Sequence, residues 1–355
     1  MNADSQTPTN TTDATGEPMT GRLMARLFIV PAIIVCLLLA VAVVVVLFGS
    51  TSLEKPVSTA DLLAQIEADR GERTMDVMLL PHARESWQAA QELARRFEQK
   101  DKFLKPEEIA PTADRLVTLL NKYEPGRDVD EAGPAQQYFL IMALAKLEAP
   151  AGVDPLVRLL RDPNASTRRT ALQALADMRR VPEARQAVAH VLPLLDDAKP
   201  AVRLVACATV ACLAEPGDST AIRAVAPLLE AEAEIQWNAA MTLARLGSRS
   251  GKLVLMNMLQ RAYWEKLELE YLENGAQVRR KFSDLEVSRN LASAIDAAGH
   301  LNDPDIAGLI NALEKDPSVT VRDAARATHS RETSEKTAGA KAPVGGVDPA
   351  DVEIL

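Results

Sequence analysis

Aromatic side chains make up only 4% of this 355-residue sequence. That scarcity argues against a β-sandwich, whose strands draw on aromatic and β-branched residues. Cysteine is rarer still, with Cys36, Cys207 and Cys212 alone. The last two lie in one helix-patterned stretch at a spacing too wide and divergent for an unstrained disulfide. No Cys-x-x-Cys pair offers a zinc or redox motif, and all three cysteines read as small core residues. An excess of basic charge is also missing. The formal net charge is −9, so there is no cationic footprint for nucleic acid, and no nucleic-acid partner is expected.

Enzyme signatures are equally absent. His82, His190, His300 and His329 are scattered, and none belongs to a His-Glu-x-x-His helix. Gly247-Ser248-Arg249-Ser250-Gly251 places arginine where a nucleophile elbow needs serine. The Gly251-Lys252 that follows lacks the spacing of a phosphate loop, so the stretch reads as a Gly-Ser turn between helices. The carboxylate pairs Glu107-Glu108 and Asp196-Asp197 read as helix-end residues that favour the dipole. No catalytic residue, cofactor or metal is expected, and the chain is not expected to be an enzyme.

What the sequence does contain begins with one long apolar run. Leu27 to Phe48 carries no charged residue. At 1.5 Å per helical residue it reaches about 33 Å, enough for a hydrocarbon core of about 30 Å. It is too long for a signal-peptide core and is not followed by a clean small-residue cleavage site, so it reads as a retained transmembrane helix whose partner is the lipid bilayer. Arg22 and Arg26 precede it, while Lys55 is the one basic residue in the stretch after it. This asymmetry places the N-terminus in the cytoplasm and the main body outside it, in a periplasm. Residues 1–26 are expected to be a disordered tail, 27–48 the membrane helix and 49–56 a linker.

The remainder is built on a repeat. Trp237-Asn238-Ala239-Ala240-Met241-Thr242-Leu243-Ala244-Arg245 matches Trp87-Gln88-Ala89-Ala90-Gln91-Glu92-Leu93-Ala94-Arg95 at six positions. The same frame recurs at Tyr138, Arg169, Leu204, Arg289 and Asp323, with spacings of 51, 31, 35, 33, 52 and 34 residues. Four of these fit a two-helix unit, and the two long ones imply insertions near 100–135 and 261–282. Small and apolar residues fall at helical spacing in each frame and give one buried stripe. A second amphipathic stretch precedes most frames, and a proline-containing turn separates the two.

These residues resemble a known family. Asp316-Pro317-Ser318-Val319-Thr320-Val321-Arg322 followed by Ala324-Ala325 looks like the turn and second helix of a HEAT repeat. Asp197 with Arg203, and Asp162 with Arg168, repeat the pattern, while Gln137, Gln236 and Ser288 depart from it. With the apolar run, the chain is similar to bacterial membrane-anchored HEAT-repeat proteins. The expected fold is therefore all-α. It is an α-solenoid of about seven HEAT-like units over 57–329, preceded by the membrane helix and followed by a disordered tail over 330–355. Trp87, Arg168, Arg203, Trp237 and Arg322 are its structural repeat positions, the arginines serving as inter-repeat ion pairs interrupted at the three departures.

The resemblance implies an interaction scaffold or assembly factor for protein partners, since stacked helix pairs offer an extended surface. A lyase-type enzyme or chromophore-binding protein is the alternative that fold analogy leaves open. The insertion at 261–282 is expected to form helical extensions on either side of Gly275. These would carry Tyr263, Trp264 and Tyr271 beyond the stack, with Arg279 and Arg280 beside them, as a partner-binding element.

Overall fold

Short polar side chains open several of the helices of this chain. In the computed structural model, which describes residues 57–68, 81–123, 135–273 and 276–340, Asn164 accepts from the backbone N–H groups of Ser166 and Thr167 and starts the helix Ala165–Asp177. Asp218 does the same for Ser219–Val225 and Asp303 for Pro304–Leu313. Proline occupies the first turn of Pro106–Leu120, Pro200–Leu213 and Pro304–Leu313, where its missing N–H has no partner to lose. Glu107 and Glu108 lie in the first turn of Pro106–Leu120, and the Lys105 N–H donates to Glu108 Oε2 at 2.8 Å.

Among the described residues these helices form seven pairs. The second helices are Pro81–Phe97, Ala135–Leu147, Ala165–Asp177, Pro200–Leu213, Ala233–Arg245, Asp284–Ala298 and Val319–Ala340. Each packs on the one before it. The contact rests on small residues: Ala171, Ala174, Ala206, Ala239 and Ala240 are fully buried, so backbones approach closely. Thr209 Oγ1 then donates to the Leu172 carbonyl at 3.2 Å, and Thr242 Oγ1 to the Cys207 carbonyl at 3.1 Å. Cys207 is core, its thiol pushed up to about 11 by burial. Cys212 is exposed, contrary to its reading as a core residue.

The first helices are shorter and broken. In unit 4 the stretch 182–196 divides into Pro182–Gln186, Val188–Val191 and a 3-10 turn Leu192–Asp196. Pro193 interrupts the α-helical bonding there. Arg249–Gly251 is likewise a 3-10 turn between units 5 and 6, the turn that the Gly-Ser stretch suggested.

Units 3, 4 and 7 share an arginine clamp at the turn between paired helices. Arg168 donates from Nη1 to the carbonyls of Asp162 and Pro163, both at 2.8 Å. Its other two nitrogens reach both oxygens of Asp197 in the next unit, at 2.8 and 2.9 Å. Arg203 holds the Asp197 carbonyl at 2.9 Å and Glu232 of the next unit at 2.6 Å. Arg322 holds the carbonyls of Asp316 and Pro317. At the departure Gln236, the amide donates to the Leu229 carbonyl alone, at 2.6 Å.

Two expectations are corrected. The insertion after unit 6's first helix is not a helical extension. It is one short helix, Arg261–Lys266, and an antiparallel hairpin, Glu268–Glu273 (β1) with Ala276–Lys281 (β2), paired Glu268 with Lys281 through Glu273 with Ala276. Glu268 to Tyr271 alternates polar and apolar residues, and Asn274-Gly275 is the dipeptide of two-residue hairpin turns. The last helix runs to Ala340, so 330–340 is helix rather than tail. The extra length near 100–135 includes the short helix Lys100–Phe103, whose Lys100 Nζ donates to Glu148 at 2.7 Å and to the Leu147 carbonyl. That brace caps the end of Ala135–Leu147, where Glu148 takes φ 53°.

Leu27 to Phe48 and the tail beyond Ala340 lie outside the described residues. Among the described residues no helix is long and apolar enough to cross a membrane.

Candidate functional site

The second helices of units 1 and 2 line an open groove of about 500 Å³. Ala94, Phe139 and Met142 contribute its apolar surface. Tyr138 is 47% exposed beside it, its ring 5.2 Å from that of Phe139 in an edge contact. On the far side of Phe139, Trp87 packs at 5.9 Å, and its indole nitrogen is buried without a hydrogen-bond partner.

Polar groups of the same two helices edge the groove. Gln88, Gln91 and Glu98 come from unit 1 and Lys146 from unit 2. Glu92 is bound by both neighbouring arginines, with Arg95 donating at 2.7 and 2.8 Å and Arg96 at 2.7 Å. The Arg95 guanidinium is the chief reason that the Glu92 carboxyl falls to about 2, against the opposing effect of burial. Lys146 is paired with Asp177 of unit 3 at 2.8 Å. The groove therefore offers an apolar floor, one exposed phenol and side-chain amides, with most of its charges already neutralised. Such a surface can hold a partner by apolar contact and amide hydrogen bonds.

Sequence reasoning missed this groove. Gln88, Gln91 and Tyr138 stand in the repeat frames, but which frame positions face outward depends on how neighbouring second helices pack.

The expected partner-binding residues fall differently. Trp264 is 1% exposed. It does not project from the array but packs into the second hydrophobic cluster, 4.7 Å from the Trp237 ring and 5.6 Å from Phe282. Tyr263 is half-buried, and its hydroxyl accepts from Trp237 Nε1 at 2.9 Å. Tyr271 lies on β1 opposite Val278. Arg279 and Arg280 are exposed but occupied, by Glu270 at 2.5 Å and by Glu286 at 2.6 and 2.7 Å. Of the five, the aromatics 263 and 264 are gathered onto the array and the other three stand on the hairpin. Among the described residues no group of His, Cys, Asp and Glu is arranged to hold a metal ion.

The family comparison bears on units 2 to 4. A model of HEAT repeats matches residues 130–204. The chain carries HEAT repeats. A comparison with curated proteins finds no match. Among solved structures, the CpcE–CpcF complex of phycocyanin lyase from Nostoc sp. PCC7120 is 15% identical, with 79% of this chain and 97% of that chain covered and a TM-score of 0.43. A designed armadillo repeat protein is 18% identical, with 76% and 98% covered and a TM-score of 0.37. The matched stretch of HEAT sequence includes the helix 135–147 that forms one wall of the groove.

Proposed function

We propose that the chain is a membrane-anchored scaffold or assembly factor without catalytic activity, which holds a protein partner against the second helices of units 1 and 2. The observation that supports this reading is Tyr138, 47% exposed beside the apolar floor of Phe139 and Met142. A tyrosine buries a large area on binding at little entropic expense, which is why such residues recur as interface anchors. Leu27 to Phe48 would confine that surface to a bilayer, with the HEAT array on the extracytoplasmic side.

The test places a photo-crosslinking amino acid at Gln91 of the full chain in carbonate-washed native membranes. A discrete set of protein adducts is expected, reduced several-fold by Tyr138→Ala, with a control probe at the exposed Leu253 giving none of them. The same adducts from both positions would remove the groove as the binding surface, and loss of the chain to the carbonate wash would remove the anchor. In intact spheroplasts a membrane-impermeant maleimide should label the exposed Cys212; labelling only after lysis would put the array in the cytoplasm.

A further inference from the structure

Unit 6 lacks the repeat arginine, yet the carboxylate of the next unit is held. Ser288 stands where units 3, 4 and 7 have Arg168, Arg203 and Arg322. In those units the arginine holds carbonyls at its own turn, and in units 3 and 4 it also reaches a carboxylate of the next unit. In unit 6 Arg261 of the insertion takes the second task, while Trp264 ties the insertion to its own unit. Trp264 Nε1 donates to the Met258 carbonyl, at the end of the unit's first helix, at 2.7 Å. Arg261 reaches into unit 7 and grips both oxygens of Asp316, with Nε at 2.9 Å and Nη2 at 2.6 Å. Its Nη2 also lies 3.4 Å from Ser288 Oγ, so the guanidinium occupies the space toward which the residue at 288 points.

We infer that the insertion 261–282 is a strap that locks unit 7 onto unit 6 by supplying, from outside the repeat frame, the carboxylate bond that a repeat arginine would make. The geometry of the insertion fits that role. Its helix is pinned by Trp264, nearly inaccessible among Trp237, Tyr263 and Phe282. Its return to the array is pinned by Arg280 on Glu286, which also closes the capping box of Asp284–Ala298 with Ser283. Between the two pins stands the hairpin. The carboxylate that the strap holds is itself secluded: the Asp316 side chain is 3% exposed and that of Arg261 17%. Burial raises the Asp316 carboxyl, but Arg261 and the Ser318 N–H together hold it below the ordinary carboxylate range. Removing Arg261 leaves a secluded carboxylate with the Ser318 N–H and no cation in bidentate contact. Docking of the last unit thus rests partly on the insertion, beside the pairs of Lys252 with Asp303 and Asp305 and the shared apolar cluster, and can be changed by whatever shifts the insertion.

The test is hydrogen exchange on the full chain in detergent. Arg261→Met should speed exchange of the amides in 304–330 by roughly tenfold or more, as expected when a buried ion pair loses one partner, while 165–213 is unchanged. Ser288→Arg in the Arg261→Met background should restore slow exchange, because an arginine at 288 would enter the vacated space and reach Asp316 as Arg168 reaches Asp197. Arg261→Lys, with charge but no fork, should fall between. Unchanged exchange in 304–330, a rise spread evenly over the whole array, or a rise that Ser288→Arg leaves in place would each overturn the strap.

Discussion

At the scale of single residues, this chain uses charge mainly to fasten one part of itself to another. Glu92 illustrates the consequence for pH. Its carboxyl is lowered from 4.5 to about 2, chiefly by Arg95. A depressed folded-state pKa contributes stability above the unfolded value and loses it as pH falls through the folded one. Glu92→Gln should therefore destabilise the chain by about 0.5–1 kcal/mol at neutral pH, the range of a partly exposed pair. That difference should shrink as pH falls from about 4.5 toward 2. Denaturant titrations of both proteins at pH 7, 4.5 and 2.5 would show it, and a gap independent of pH would mean that the arginines do not stabilise the ionised form. The pairing of Arg168 with the next unit was legible, because the Asp-Pro turn and the arginine recur at fixed spacing. Arg261 was not, since nothing in a linear repeat shows that an inserted residue folds back onto a carboxylate 55 positions away.

Elements show where the repeat period misleads. Extending the helical reading into 261–282 missed a hairpin whose signals were present: alternation over Glu268 to Tyr271 and the Asn274-Gly275 pair. The insertion does not share the stacking environment of the units, so its own local preferences decide. Between elements, close approach makes a sharper demand. A Cβ at Gly251 would lie 2.8 Å from Ala240 Cα and 3.0 Å from its Cβ, where the turn into unit 6 crosses the second helix of unit 5. Gly251→Ala should cost about 1–3 kcal/mol through overpacking. Gly308→Ala, in a helix with nothing within 4 Å of the new methyl, should instead be neutral or stabilising by up to about 1 kcal/mol. Thermal melts of the pair separate crowding from helix propensity, and equal losses would refute the crowding argument.

For the whole array, stability is shared between neighbours. The helix Ala233–Arg245 serves two apolar clusters: Ala239 and Leu243 join the cluster running back through units 1 to 4, while Trp237, Ala240 and Ala244 join the one formed with units 6 and 7. Each unit needs the next to cover its apolar face, and cooperativity is local. Trp237→Ala removes the ring against which Tyr263, Trp264 and Phe282 pack, a loss of about 3–5 kcal/mol for a buried tryptophan. Limited proteolysis of this variant should cut first within 246–340, while a fragment holding 135–213 persists. Simultaneous loss of both parts would show one cooperative unit.

Sequence alone determined that this chain stacks helix pairs, because the spacing of small and apolar residues repeats with the length of such a pair and each pair has one face to bury. It also determined where arginines clamp turns, because both partners of each clamp lie at constant offsets. Only the tertiary structure decided which second helices line a groove beside Tyr138, that Trp264 turns inward, and that Arg261 completes a missing rung. Those outcomes depend on the angle between neighbouring helices and on contacts across many residues of chain, and neither is encoded in the local pattern that a repeat makes visible.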